Sequence, residues 1–518
     1  MELYGISFLV QFLLGEPDKG EKKIILMSLP NRGFVLTLLG FLILKITLAV
    51  YLPLVNDEAY AIAVSKEFSL SFFDHPPIGF WLASLFTELS GIQNPFLFRL
   101  PYIFCGLGTT YILFQLGKEV GGYSVGIWSA LLYNTAPFFM LSGGLLVVPD
   151  GPLNLAISAS SLCIIHLHKE NCKKDNIFLL ILGICLALSF ASKYQGFLFG
   201  LGCLLVLCTS TKRSTFLQNP YFYVSLLIAV LGLLPTFIWN LQHQWVSFQF
   251  HGARQGTMID PNNFTKMVLG STIYLLPPVI LIPVFQLISF SLKLKNRTQL
   301  ASTEWHLILM ATPNILVFTF VFIFSSDTFP HWIMPGWLLL LPMVAKILSI
   351  ANNRLSRMFF ASSFLVIWPI LGILVLHTQT GILTNRMKEI PAWDNTLELV
   401  SWNGIRKPLI SVIQNLDPFT KPKLAALTWT EAGQLSTLMK NEYETLVIKG
   451  EPHHFSFLSK SLTSASTILV KISLGLNPDT DAILNRIRLY DNKAIHLKNI
   501  TLLRGKREYA TVSLYLLN

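Results

Sequence analysis

Charged residues are scarce in this chain. Only 13% of its 518 residues are Asp, Glu, Lys or Arg, whereas soluble globular proteins have about 25%. Cysteines are also few: the six lie between residues 105 and 208, so no disulfide framework is indicated. Internal repeats of fixed period and low-complexity tracts are absent from the sequence. These absences exclude most soluble architectures, disulfide-rich secreted proteins and solenoids.

Acidic residues are scarcer than basic ones, with 28 against 39 and a net charge of +11. A nucleic-acid-binding protein would gather its Lys and Arg residues on one face, interleaved with aromatic side chains. In this chain they fall in short clusters between apolar runs. We therefore expect no nucleic-acid partner, and we interpret the basic excess as a signal of membrane topology.

Long apolar runs are abundant. The chain is 52% hydrophobic and has a mean hydropathy of +0.55. A helix needs about 20 apolar residues to cross a bilayer, and on this rule we predict eleven spans. They lie near 33–53, 97–117, 123–141, 151–167, 176–192, 195–210, 221–239, 267–291, 305–325, 333–350 and 358–379. Residues 1–32 are predicted to be a cytoplasmic or interfacial segment, with Met27 as an alternative start.

The distribution of Lys and Arg predicts the orientation of these spans. With a cytoplasmic N-terminus, fifteen of these residues lie in inside loops and five lie outside, as the positive-inside rule requires. Eleven spans then place residues 380–518 outside, in the periplasm of a Gram-negative cell, with residues 33–379 in the inner membrane. Residues 380–518 are polar. They contain segments in which apolar and polar residues alternate, as in strands, and segments with helical periodicity. We therefore predict a small α/β domain there.

Twelve acidic, histidine, tyrosine and isolated basic residues of the membrane part map to the predicted outer face. Ionisable groups held at a membrane are costly, and they are therefore typical of functional sites. Since five different loops supply them, we predict one external site at the membrane surface. The residues are Asp57, Glu58, Asp74, His75, Asp150, Lys193, Tyr194, His243, His251, Arg254, Asp327 and His331.

The first outer loop, residues 54–96, is too apolar to be solvated, and its second half is predicted to be an interfacial amphipathic helix. Asp74 and Asp150 each stand just before proline-containing helix starts, so both have an alternative interpretation as N-caps. A cap needs only one carboxylate. The consecutive pair Asp57 and Glu58 therefore favours a functional role.

Other candidates also have structural alternatives. Lys193, at the end of a span, can extend its ammonium group to the membrane surface. His251 and Arg254 lie in an aromatic stretch, and His331 precedes a tryptophan, as in an interfacial aromatic belt.

Seven short runs occur in a fixed order along the first 380 or so residues. They are Asn56-Asp57-Glu58-Ala59-Tyr60, Phe73-Asp74-His75-Pro76-Pro77-Ile78, Arg99-Leu100-Pro101, Val148-Pro149-Asp150-Gly151-Pro152-Leu153, Ser192-Lys193-Tyr194, residues 245–256, and Phe329-Pro330-His331-Trp332. Together they resemble the bacterial branch of the dolichyl-phosphate-mannose protein mannosyltransferase superfamily. Within it they resemble glycosyltransferase family 83, which includes lipid A aminoarabinose transferases and galacturonosyl transferases of lipopolysaccharide. The last 139 residues match only in position and size.

The resemblance implies a membrane glycosyltransferase of the GT-C fold. Such an enzyme moves a sugar from a polyprenyl (undecaprenyl) phosphate to an envelope acceptor, with inversion, and lipid A or the lipopolysaccharide core is the implied acceptor. Asp57 is the implied base, with Glu58 and Asp150 as the next candidates. The donor phosphate and substrate would be bound by His75, Lys193, Tyr194, Arg254 and His331.

The resemblance also bears on cofactors and on the sugar. A divalent metal is an optional cofactor if Asp74 meets His251 or His331, although the sequence shows no metal-ligand spacing. The aminoarabinose transferases usually have Glu-Lys-Pro-Pro where this chain has Asp74-His75-Pro76-Pro77. This substitution of histidine for lysine leaves the identity of the sugar open.

Three alternative functions remain at this point. One is protein O-glycosylation by the same fold, and another is a non-catalytic membrane scaffold. The third is a transporter or flippase of lipid-linked sugars, which would place ionisable residues at mid-membrane and on both faces. The one-sided distribution of these residues favours the enzyme.

Overall fold

The computed structural model of the chain forms two compact units, residues 1–46 and 47–518. The first unit is described from residue 32 onward. The structure describes residues 32–169, 175–253, 261–276, 302–324, 329–350, 354–384, 399–416, 421–448, 450–458, 466–474, 480–489 and 491–517, with the single residues 387, 394 and 396.

The membrane part consists of helices, as the apolar runs predict. The first nine are α1 (Arg32–Tyr51), α2 (Asn56–Val64), α3 (Ile78–Ser90), α4 (Pro95–Gly121), α5 (Tyr123–Thr135), α6 (Pro137–Leu141), α7 (Asp150–Leu167), α8 (Asp175–Ser192) and α9 (Gln195–Thr209). The next eight are α10 (Arg213–Gln218), α11 (Pro220–Leu231), α12 (Leu234–Gln242), α13 (Val246–Ala253), α14 (Pro261–Leu275), α15 (Ser302–Phe324), α16 (Met334–Ile350) and α17 (Arg354–Thr380). A helix occupies the described part of each predicted span.

Fewer of the described helices are long enough to cross a membrane than the number of apolar runs predicts. Among the described residues, five helices are long and apolar enough to cross a membrane. The number rises to six when α1 and α2, which meet at a bend of 75°, are counted as one span. Several predicted spans are shorter than a bilayer requires, such as the 15 residues of α9. The fold class is therefore confirmed as a helical membrane protein, while eleven spans stay a prediction.

Small residues allow the membrane helices to approach closely. A β-carbon added at Gly117 of α4 would lie only 2.7 Å from the α-carbon of Gly126 in α5. Likewise, a β-carbon at Gly232, after α11, would lie 2.4 Å from the α-carbon of Ala187 in α8. Because lipid gives no hydrophobic drive for helix association, such close backbone contacts are a main source of packing energy.

The C-terminal part is a small α/β domain, as predicted. Its elements are α18 (Asn403–Leu416), β1 (Lys423–Ala426), α19 (Trp429–Leu438), β2 (Thr445–Val447), the 3₁₀ turn His453–Ser456, β3 (Thr467–Leu474), α20 (Thr480–Arg488), β4 (Ile495–Arg504) and β5 (Arg507–Leu517). The sheet has the order β2-β1-β3-β5-β4. β1 is parallel to β2 and β3, while β5 is antiparallel to β3 and β4.

A buried charge network joins the end of α17 to this domain. Arg504 of β4 donates to the Asp394 carboxylate at 2.6 Å and to the Thr384 hydroxyl at 2.7 Å. The other Asp394 oxygen lies 3.3 Å from His377 Nε2 on α17. Burial alone would raise the pKa of Asp394, but hydrogen bonds from Arg504 and Thr396 outweigh it and lower the pKa to about 2. Asp394 is thus a carboxylate that neutralises Arg504 at the junction.

We expect Arg504→Met to loosen this junction. Removing one partner of a buried ion pair costs roughly 3–5 kcal/mol, because the other charge is left without compensation. The purified variant should melt several degrees below the parent and be cleaved faster by protease. Lys498→Met, on an exposed position of the same strand, is the matched control. Equal melting temperatures for both variants would contradict a role for Arg504 at the junction.

Candidate functional site

A fully buried ion pair forms the base of the site. Glu58 of α2 and Arg99 of α4 both have 0% exposure. Arg99 Nε donates to Glu58 Oε1 at 2.8 Å, and Arg99 Nη2 donates to Glu58 Oε2. Glu58 also accepts from the main-chain N–H groups of Val147, at 3.0 Å, and Val55, at 3.1 Å. Both of its oxygens are thus occupied by donors from three parts of the chain.

The same arginine fixes the end of α1. Its Nη1 donates to the carbonyl oxygens of Ala49, at 3.0 Å, and Leu52, at 2.7 Å, while Nη2 donates to Pro53 at 2.9 Å. These carbonyls lie at and beyond the end of a helix, where intrahelical donors are missing. A guanidinium group has five N–H donors, and Arg99 uses them on the carbonyls and on Glu58.

Asp57 is adjacent to Glu58 but lies in a different environment. Successive residues of a helix point about 100° apart, and here that rotation turns Glu58 into the core and leaves Asp57 exposed. The charges of Lys193 and Asp150 act on the Asp57 carboxyl, as does that of Glu58. Of the two predicted catalytic neighbours, only Asp57 is accessible to a ligand.

Asp150 and Lys193 form a second buried pair. Asp150 lies in the first turn of α7 with 4% exposure, and Lys193, which follows α8, has 3%. Lys193 Nζ lies 2.9 Å from each of the two Asp150 oxygens. Lys193 therefore does not extend into solvent, and the N-cap residue of α7 is Pro149 rather than Asp150. The structure excludes both structural alternatives for these residues.

Two of the sequence motifs pack directly on each other. A β-carbon at Gly79, near the start of α3, would lie 3.0–3.2 Å from atoms of Pro149. The Tyr102 hydroxyl, on α4, donates to the Gly79 carbonyl, and Tyr102 also contacts Gly151. The absence of a side chain at Gly79 thus permits the first turn of α3 to pack against Pro149, the residue before Asp150.

Asp74 and His75 lie on that loop. The Tyr60 hydroxyl donates to Asp74 Oδ1 at 3.0 Å. His75 is partly exposed, with its Nε2 4.0 Å from Asp74 Oδ2. The residue before α3 is Pro77, and α3 begins without a side-chain cap. The N-cap interpretation of Asp74 is therefore also wrong, and its carboxylate instead orients the loop.

Asp74 and His251 do meet, but in a way unlike metal coordination. His251 Nε2, on α13, lies 3.0 Å from the main-chain oxygen of Asp74 rather than from its carboxylate. Since a carbonyl only accepts, Nε2 carries a proton in this bond. Within the described ranges, no three His, Cys, Asp or Glu side chains are grouped to hold a metal ion. The predicted metal site stays a prediction.

The remaining predicted residues are placed as follows. The ring of Tyr194 lies edge-on to His251, with centroids 5.0 Å apart. His331, in the 3₁₀ turn before α16, stacks on Phe138 at 6.3 Å and interacts with the charges of Lys193 and Asp150. Arg254 and Asp327 lie outside the described residues. The structure thus brings most of the predicted residues to one end of the helix bundle.

The C-terminal domain also contributes residues, which the sequence analysis missed. His454 donates its main-chain N–H to the Tyr60 hydroxyl at 3.1 Å, and its Nδ1 accepts from the Phe73 N–H at 3.2 Å. Burial and the nearby His243 lower the pKa of His454 to about 3, so its ring is a neutral acceptor. The only signal in the sequence is the pair His453-His454 in a polar segment that has no recognisable motif.

Comparison with known proteins supports the same family. Residues 74–239 match the dolichyl-phosphate-mannose-protein mannosyltransferase family. The lipid A galacturonosyltransferase RgtD of Rhizobium johnstonii is 24% identical over 215 residues. That alignment spans 41% of this chain and 44% of the relative's length. The resemblance found in the sequence motifs is thereby confirmed.

Two solved structures show the fold over almost the whole chain. ArnT from Cupriavidus metallidurans in the apo state has a TM-score of 0.59 at 11% identity, covering 93% of this chain and 97% of ArnT. The same protein bound to undecaprenyl phosphate gives 0.58 at 13% identity with the same coverage. At these identities the likeness concerns the fold alone, and it confirms the predicted GT-C architecture with a small C-terminal domain.

We expect the two adjacent carboxylates to differ sharply in their effect on stability. Glu58→Gln leaves the Arg99 charge buried without its partner, which should cost roughly 3–5 kcal/mol. Asp57→Asn changes an exposed group and should leave the melting temperature almost unchanged. Thermal unfolding of the purified proteins measures both. A Glu58→Gln protein as stable as Asp57→Asn would show that the ion pair does not hold the fold.

Proposed function

We propose that this chain is an inverting glycosyltransferase that moves a sugar from a polyprenyl phosphate to lipid A or the lipopolysaccharide core. The observation that carries the proposal is the convergence of Asp57, the Asp150–Lys193 pair and the Asp74–His75 loop at one end of a GT-C helix bundle. The relatives support the substrate classes. One is named a lipid A galacturonosyltransferase, and another was solved with undecaprenyl phosphate.

Asp57 is the proposed base. The acceptor hydroxyl oxygen attacks the anomeric carbon of the sugar and gives its proton to the Asp57 carboxylate. The bond from that carbon to the phosphate oxygen breaks, and its electron pair leaves with the polyprenyl phosphate. Attack opposite the leaving group inverts the configuration. Glu58 is not available for this step, because its oxygens are occupied by Arg99 and two main-chain N–H groups.

Lys193 is the proposed partner of the departing phosphate. An ammonium group has three N–H donors, and two of them suffice for the two oxygens of Asp150. The third is left for an anionic ligand, so Asp150 orients the cation rather than reacting. His75, partly exposed on the adjacent loop, and Arg254 are proposed to add positive charge, with Tyr194 and His331 alongside.

The site and the C-terminal domain lie on the same side of the membrane in this proposal. The contacts of His454 with Tyr60 and Phe73 support this placement. Combined with the positive-inside distribution, this argues for a cytoplasmic N-terminus, a membrane domain of residues 33–379 and a periplasmic domain of residues 380–518 in the inner membrane. A donor that is already activated needs no nucleotide site.

Asp57→Asn is expected to reduce sugar transfer by roughly 10²–10⁴-fold, which is the usual contribution of a general base. The protein should remain in the membrane at its normal level. Mass spectrometry of lipid A from cells that carry the variant measures the loss. Glu88→Gln, an exposed carboxylate on α3, is the control and should keep full activity. Normal lipid A modification in Asp57→Asn cells would exclude Asp57 as the base.

The acceptor is tested by comparing cells with and without the gene. We expect a sugar-sized mass difference in lipid A or the lipopolysaccharide core. A difference confined to envelope proteins would instead support protein O-glycosylation. Unchanged glycans, together with altered distribution of lipid-linked sugars between leaflets, would support a flippase.

A further inference from the structure

We propose that the C-terminal domain positions the transferase site: its His453–Ser456 turn holds the loop of Phe73 to His75, and its helix α19 holds α2. This inference rests on the proposed function and adds a role for a domain that lies outside the matched family region, residues 74–239. The residues involved contact other protein groups rather than the substrate. They are therefore positioning residues.

The first contact fixes the loop that carries His75. The main-chain N–H of Phe73 donates to His454 Nδ1, and the next residue, Asp74, accepts from the Tyr60 hydroxyl. That hydroxyl in turn accepts from the His454 N–H. One histidine thus supplies an acceptor for the loop and a donor for the tyrosine that orients the Asp74 carboxylate.

The turn itself is held rigidly. His453 has a φ of +51°, a left-handed conformation that is uncommon for a residue with a side chain. Its ring packs against Trp429 at 4.7 Å, Phe73 at 5.2 Å, Phe250 at 5.4 Å and Tyr60 at 5.8 Å. Strained backbone persists only where its surroundings determine it, and it concentrates at functional sites.

The second contact fixes the helix that carries Asp57. A β-carbon at Gly433 of α19 would lie 2.7 Å from the main-chain nitrogen of Tyr60 and 2.9 Å from its α-carbon. The neighbouring Gln434 donates to the Leu54 carbonyl at 2.9 Å and to the Asn56 side chain at 3.1 Å. The domain therefore holds both the start of α2 and its second turn, on either side of Asp57.

A pair of nearly isosteric variants separates positioning from packing. His454→Asn keeps an acceptor close to the position of Nδ1, whereas His454→Leu removes it and leaves the Phe73 N–H unsatisfied. The full-length protein is titrated with undecaprenyl phosphate as the probe. We expect His454→Leu to bind undecaprenyl phosphate about tenfold more weakly than the parent, and His454→Asn to bind within about twofold of the parent. His496→Ala, at the edge strand of the same domain, should bind like the parent.

The contact between α19 and α2 is tested by a substitution at Gly433. Gly433→Ala should lower the extent of glycan modification in cells severalfold, because its β-carbon displaces the helix that carries Asp57. Binding of undecaprenyl phosphate should be unchanged. In the control Gly404→Ala the β-carbon meets only Leu502, at 3.4 Å, and no effect is expected.

Two outcomes would overturn the positioning role, and a third would refute the proposed function alone. Equal binding by the Leu and Asn variants of His454 would overturn the positioning role. If His454→Leu is not recovered folded, Tyr60→Phe removes one oxygen from the same network, and parental binding in that variant would likewise overturn it. A wild-type protein that binds undecaprenyl phosphate but modifies no glycan would refute the proposed function, while the binding differences among variants would still test the positioning.

Discussion

The Glu58–Arg99 ion pair is the constraint on which the site depends. Two charges with 0% exposure in an apolar helix bundle are tolerated only because the carboxylate oxygens and the guanidinium nitrogens are occupied by partners. Those partners come from the end of α1, the start of α2, α4 and the segment before α7. A single pair therefore fixes the relative positions of elements that are distant in the sequence. Asp57 lies on α2, and Asp150 begins the helix that follows the Val147 segment.

The other ionisable groups of the site can be sorted by how completely they are paired. Asp150 and Lys193 neutralise each other, and two of the three ammonium N–H groups suffice for the two carboxylate oxygens. Asp57 and His75 remain accessible. The structure thus separates groups that maintain geometry from groups that can meet a ligand, and a transferase needs both: a base with room for an acceptor, and cations whose position does not change as charge develops on the phosphate.

The sequence predicted the helical membrane fold and the α/β domain because hydropathy and periodicity are local properties of the chain. It also predicted that residues from distant loops come together, and the contacts of Lys193 with Asp150 and of His251 with Asp74 agree with that. The side of the membrane on which they lie stays a prediction. It did not distinguish Glu58 from Asp57, because one residue of helical rotation decides which carboxylate meets Arg99. The caps proposed for Asp74 and Asp150 failed for a similar reason: local rules described the helix starts, while Tyr60 and Lys193, distant in sequence, bind the carboxylates.

No pattern in the sequence predicts the role of the C-terminal domain, because that role depends on contacts between residues more than 370 positions apart. Loops at the membrane surface are held by few backbone partners of their own, so the accuracy that a reaction centre needs must come from elsewhere. Here a domain with its own sheet and core supplies it, through Gly433, Gln434 and the pair His453 and His454. This arrangement explains how residues 47–518 form a single compact unit although they combine a membrane bundle with a polar domain.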